Sequence, residues 1–200
     1  MRLENRIAII TGGAKGMGGA ITRTLGREGA DIMLAARDIE PLEEVAEEVR
    51  AMGRRVEAIS ADVTSSEQVA VMVERTKEAF DGRIDILVNV AGTTGPIETP
   101  VQNIDPDVFL EVLDINVRGT FLPIKYTLPT MIQQKYGKIV NIGGSSGLRG
   151  YKYRTAYSAS KWALRGLTRT IALEVGPHNV NVNMVMPGIV HTPRMDKICE

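Results

Sequence analysis

The sequence predicts an α/β fold: one three-layer α/β/α domain over residues 1–200, built on a doubly wound parallel β-sheet with helices on both faces. Three observations predict it. Short apolar runs alternate with longer amphipathic ones, as repeated βαβ units require. The first apolar run passes directly into a glycine-rich turn and then into a helical pattern. Glycines fall where the helical patterns stop, as left-handed caps would.

Taken in order, the apolar runs predict strands over 7–10, 31–36, 55–60, 84–89, 138–142 and 179–185. Ile7-Ala8-Ile9-Ile10 is apolar without alternation, which suits a strand buried on both faces of a parallel sheet. The 3.6-residue patterns predict helices over 17–28, 41–52, 66–80, 107–134 and 155–175. Gly29, Gly53, Gly82, Gly137 and Gly176 mark the helix ends. No internal repeat, low-complexity segment or Pro/Ser-rich linker divides the chain.

Composition narrows the function classes. With 24 Lys+Arg against 24 Asp+Glu there is no net field to favour nucleic acid or an anionic membrane. The single cysteine, Cys199, excludes an intramolecular disulfide and fits a reducing compartment. His178 and His191 do not cluster with acids, so no metal site is expected. The first residues lack the apolar core of a signal peptide, and no run reaches membrane-spanning length. A cytoplasmic enzyme is the expectation.

Two motifs carry chemistry. Thr11-Gly12-Gly13-Ala14-Lys15-Gly16-Met17-Gly18 lies between the first strand and the first helix. There, glycines allow a tight turn and bring a pyrophosphate onto free N–H groups at a helix N-terminus. Tyr157-Ser158-Ala159-Ser160-Lys161 places a phenol and an ammonium four residues apart, on one face of a helix. A free phenol titrates near ~10 and a neighbouring cation favours its anion, so Tyr157 would exchange a proton near neutral pH.

Together these motifs resemble the short-chain dehydrogenase/reductase family, along essentially the whole chain. Its T-G-x-x-x-G-x-G pattern is met by Thr11, Gly12, Gly16 and Gly18, and its Y-x-x-x-K by Tyr157 and Lys161. Asp62-Val63, Asn89-Val90-Ala91-Gly92, Asn116 and Pro187-Gly188-Ile189-Val190-His191-Thr192 follow the family's order. The resemblance implies a Rossmann-like fold and hydride transfer between a nicotinamide dinucleotide and a secondary alcohol or ketone. Tyr157 is the implied acid–base group, assisted by Lys161 and by Asn116 through a water. Gly12, Lys15, Gly16, Met17 and Gly18 are the implied phosphate loop, and Asp62 and Val63 would meet the adenine. Asn89, Ala91 and Gly92 would line the adenosine ribose; Pro187, Gly188, Val190 and Thr192 would anchor the nicotinamide carboxamide. On its residues alone, Asp62 would instead cap the helix after Thr64.

Departures from the pattern matter as much. Val90 replaces the usual second asparagine, removing an amide that braces the strands. Counted without a gap, the usual serine position is Gly144; Ser145, with Ser146 as the lesser candidate, is expected to supply the hydroxyl instead. The second strand ends in Ala36-Arg37 where NAD-preferring relatives place an acid, so Arg37 and Lys15 predict NADP, with NAD the alternative. Asp38 is read as a helix cap. The family usually continues beyond the Pro-Gly segment, so the end at Cys199-Glu200 is expected to lack a substrate-covering region and a last strand. The strand over 180–185 would then be an apolar sheet edge. Relatives pair long helices such as the one bearing Tyr157 across an interface, which implies a homodimer or homotetramer.

The leading expectation is therefore an NADP-dependent alcohol dehydrogenase or carbonyl reductase. Alternatives are an NAD-linked enzyme of the same family and a catalytically weak dinucleotide-binding protein. A methyltransferase would not explain Tyr157, Lys161 and Pro187-Gly188 together.

Overall fold

Ile7 and Ile9 point to one face of the sheet and Ala8 and Ile10 to the other, and all four are buried. That alternation on β1 (Ile7–Thr11) explains the unbroken apolar run: two cores share one strand. The computed structural model of the chain describes residues 1–192, so Cys199 and the expected ending lie outside the described residues.

Among the described residues, six parallel strands follow the order β3-β2-β1-β4-β5-β6. The remaining five are β2 (Asp31–Ala36), β3 (Val56–Ser60), β4 (Ile86–Asn89), β5 (Gly137–Ile142) and β6 (Val180–Val185). α1 (Gly16–Arg27) and α2 (Ile39–Arg50) cover one face through Leu25, Leu42, Val45 and Val49. α3 (Ser66–Ala79), α5 (Gly119–Gln133) and α6 (Thr155–Val175) cover the other through Met72, Ile124, Met131 and Val175. α4 (Pro106–Leu113) packs against α6.

Three expectations are corrected. The helix expected over 107–134 is not continuous: a π-helical stretch, Asp114–Arg118, separates α4 from α5. A π-turn widens the helix by one residue, and here it carries Asn116 into the interior. Gly137 opens β5 and Gly176 is right-handed, with φ −52°; the left-handed residues at those two ends are Lys135 and Asn179. Gly29, Gly53 and Gly82 do adopt positive φ. Among the described residues β6 is the sheet edge, but it is apolar on one face only: Val180 and Val182 are buried while Asn181 and Asn183 are exposed.

Candidate functional site: a glycine crevice and a tyrosine–lysine pair

The strand order reverses between β1 and β4, which opens a crevice at their C-terminal ends. The glycine turn fills one wall of it. A Cβ on Gly12 would lie 2.8 Å from the Ala91 amide nitrogen, and Gly12 has φ +68°, so the turn and the end of β4 meet only because residue 12 is glycine. Gly18 packs onto the Gly12 carbonyl more tightly still. The Thr22 hydroxyl donates to the carbonyls of Gly13 (3.0 Å) and Gly18 (2.9 Å), fixing α1 to the turn. Lys15, at the N-cap of α1, offers no side-chain cap, so the first N–H groups of the helix stay available to an anion. Thr192 closes over this turn, its methyl 3.3 Å from where a Cβ on Gly16 would sit. A phosphate-bearing dinucleotide fits such a cradle.

At the next rim, Lys15 forms an exposed ion pair with Asp38 at 3.6 Å. Asp38 occupies the N-cap of α2 without a capping hydrogen bond, so the expected capping role gives way to this pair. The Ser60 hydroxyl donates to the Arg37 carbonyl at 2.8 Å, holding the backbone at the β2 exit. Asp62 accepts from both the Thr64 amide and hydroxyl at 2.8 Å. The Thr64 N–H is the main reason its carboxyl sits below the usual range, with Arg37 contributing charge. The N-cap of α3 is Ser65, not Asp62. Val63 is buried against Gly119.

The loop after β4 is braced twice. Thr11 Oγ1 accepts from the Val90 and Ala91 amides at 3.3 and 3.4 Å. Asn89, only 2% exposed, donates to Asn141 at 2.9 Å, and Asn141 donates to Thr168 of α6. Through its amide nitrogen, Asn89 thus ties β4, β5 and α6 together. Its Oδ1 finds no donor among the described residues.

Tyr157 and Lys161 stand on the first turns of α6, at the C-terminal end of β5. The Lys161 ammonium is 5.4 Å from the Tyr157 ring centroid and donates to the Ile142 carbonyl at 3.1 Å, with the side chain almost wholly buried. Gly147 lets the preceding turn settle on the Lys161 backbone. A Cβ on Gly144 would lie 3.2 Å from Tyr157 Oη, so the position facing the phenol carries no hydroxyl. Ser145 accepts from Tyr151 Oη at 3.1 Å, and Ser146 is buried. Arg149 donates to the same Tyr151 Oη at 3.0 and 2.9 Å. Ser145 and Arg149 together lower the Tyr151 phenol below its ordinary range.

Asn116 is 1% exposed and reaches back to this site. It accepts from the Thr93 amide at 2.8 Å, donates to the Thr93 carbonyl at 3.0 Å and donates to Ser160 at 2.9 Å. Pro187 is tied in, its carbonyl accepting from the Ser145 amide at 3.0 Å, whereas Gly188 and Val190 are exposed. Sequence reasoning missed the bracing roles of Asn141, Ser160 and Thr168, and it gave Thr11 only as the first residue of the glycine pattern. Ser160 alone carried a signal, one turn beyond Tyr157 on the same helix.

A glycine turn at the reversal of a parallel sheet, beside a Tyr–Lys pair, defines a dinucleotide-binding α/β protein of the Rossmann type. The chain belongs to the short-chain dehydrogenase/reductase family: the family model described as short chain dehydrogenase matches residues 6–200. It is accordingly an NAD(P)-dependent oxidoreductase. An uncharacterized oxidoreductase of Staphylococcus saprophyticus is 37% identical over 194 residues, covering 96% of this chain and 82% of that one. The crystal structure of NAD+-bound xylitol dehydrogenase matches with a TM-score of 0.94 at 36% identity, over 98% of this chain and 74% of that one. A metagenomic short-chain oxidoreductase in complex with NADP matches at 0.88 and 35% identity, over 94% and 85%. Among the described residues, no helix is long and apolar enough to cross a membrane.

Proposed function

We propose that the chain is an NADP-dependent alcohol dehydrogenase or carbonyl reductase acting on a secondary alcohol or ketone. The observation that carries this reading is the Tyr157–Lys161 pair beside the glycine crevice, with the ammonium 5.4 Å from the phenol ring. The dinucleotide, when bound, supplies the hydride donor or acceptor at its nicotinamide carbon. Tyr157 gives its proton to the carbonyl oxygen during reduction and takes it back during oxidation. Lys161 stabilises the phenolate by charge and hydrogen-bonds the nicotinamide ribose. Asn116 holds the Thr93 loop against α6 and positions a water that relays the proton, and Ser145 steadies the substrate oxygen.

The phosphate loop would be Gly12, Lys15, Gly16, Met17 and Gly18, with Asp62 and Val63 on the adenine, and Asn89, Ala91 and Gly92 at the ribose. Pro187, Gly188, Val190 and Thr192 would hold the carboxamide. Arg37 and Lys15 favour a 2′-phosphate. The Asp38 carboxylate near Lys15 is 75% exposed, too solvated to cancel that preference. A homo-oligomer is the expected assembly, since Leu110, Phe121 and Trp162 expose apolar surface on α4, α5 and α6.

Titrating the protein with NADPH and NADH, followed by nicotinamide fluorescence, tests the cofactor choice. Tenfold tighter NADPH binding, about 1.4 kcal/mol, is expected; equal or NADH-favoured binding overturns it. Absence of turnover on any secondary alcohol or ketone would favour the weak-enzyme alternative, which Gly144 motivates.

A further inference from the structure

We propose that the substrate carries a carboxylate, received by Arg154 beside the Tyr157 phenol; the proposal rests on the hydride-transfer reading above. The Arg154 guanidinium carbon lies 4.9 Å from the Tyr157 ring centroid. A guanidinium presents a planar fork that matches a carboxylate bidentately. Stacking on a phenol uses only its face, leaving the N–H edges for another group. The Arg154 side chain donates to no acceptor among the described residues. Neither Arg149, Lys152 nor Arg154 has an ion-pair partner among them either.

A second observation points the same way. Asp114 and Glu174 enclose a stretch with no acidic residue at all, and that stretch contains Arg149, Lys152, Arg154 and Lys161. The chain as a whole is balanced, 24 basic against 24 acidic residues, so this stretch is basic against a neutral background. The other arginine of the rim, Arg149, is occupied by Tyr151 Oη through both Nε and Nη2. Arg154 is half-buried against the Tyr157 ring, and is therefore the rim arginine with donors to offer. In the reaction the carboxylate stays unchanged. The cofactor's hydride forms the new C–H bond, the Tyr157 proton forms the O–H bond, and an oxo acid becomes a hydroxy acid. A solvated loop arginine would instead be indifferent to substrate charge.

The test compares 3-oxobutanoate, 4-oxopentanoate and 5-oxohexanoate with their methyl esters, and with cyclohexanone as a neutral control, by following cofactor oxidation. For at least one chain length the acid should exceed its ester tenfold or more in kcat/KM. Arg154→Gln should collapse that ratio at least tenfold, mainly through KM, with Arg154→Lys between the two because charge remains but the fork is lost. Lys152→Gln should leave the ratio within twofold, and nicotinamide fluorescence should show that the Arg154 variants still bind cofactor. Turnover of esters or cyclohexanone without an acid preference overturns this proposal alone. Equal loss on acids and esters in Arg154→Gln also overturns it, assigning Arg154 to Tyr157 rather than to substrate. No turnover of any compound with either cofactor overturns the hydride-transfer reading and this proposal with it.

Discussion

Asn116 grips both polar groups of the Thr93 backbone, accepting from its N–H at 2.8 Å and donating to its C=O at 3.0 Å. One amide side chain thus joins the π-turn between α4 and α5 to the loop leaving β4, and a third bond to Ser160 adds α6. Asn116→Ala should cost about 1–3 kcal/mol, because Thr93 loses its partners in a part-buried setting. A urea unfolding midpoint unchanged from wild type would contradict this. Gly92→Ala should act alike, since its Cβ would come within 2.9 Å of Asn116 Oδ1.

Gly144 and Ser145 divide the question of the missing hydroxyl. The backbone at Gly144 is extended, so serine is conformationally acceptable there, with its Cβ 3.2 Å from Tyr157 Oη. If Ser145 steadies the substrate oxygen, Ser145→Ala should lower kcat tenfold or more and Gly144→Ser should bring no gain. The opposite pair of results would transfer the role to position 144.

Arg37→Asp should weaken NADPH binding at least tenfold while sparing NADH, because a carboxylate repels the 2′-phosphate and accepts from ribose hydroxyls. Fluorescence titration reads both affinities. An unaltered NADPH affinity would show that Arg37 is a solvated loop residue.

Asp85 anchors the opposite end of the sheet. Fully buried, it accepts from the Ile7 amide at 3.0 Å and from Arg6 and Arg83. Asp85→Ala should cost about 2–4 kcal/mol in urea unfolding, less than for a wholly buried pair because both guanidiniums are partly exposed. Since the crevice is at the other end of the strands, kcat of the folded fraction should hold.

Asp62 gives the fold an acid limb. Its carboxyl, stabilised as an anion chiefly by the Thr64 N–H, has a folded pKa below the ordinary value of about 4. The stabilisation is present above that ordinary value and is lost as pH falls through the lower folded one. Urea midpoints measured from about pH 5 downward should therefore fall less steeply in Asp62→Asn than in wild type. Parallel curves would remove Asp62 from the acid response.

Much of this was legible from the chain. Apolar runs located all six strands because every strand buries at least one face and β1 buries both, and the glycine turn identified the crevice because only glycine admits Gly12 beside Ala91. Helix caps were less legible: Lys135 and Asn179 take left-handed backbone where Gly137 and Gly176 were expected to. The β6 edge proved polar on one side, since Asn181 and Asn183 alternate with the valines.

The sequence by itself determined the layering, the family and the four-residue spacing of Tyr157 and Lys161, because these depend on local period and on residues close together in the chain. Only the tertiary structure decided what depends on distant segments meeting. It committed Asn89 to Asn141, turned Asn116 inward through a π-turn, set Gly144 opposite the Tyr157 phenol and stacked Arg154 on its ring. Hydrogen bonds and close packing between such segments follow from how the layers dock, and no periodicity in the chain encodes them.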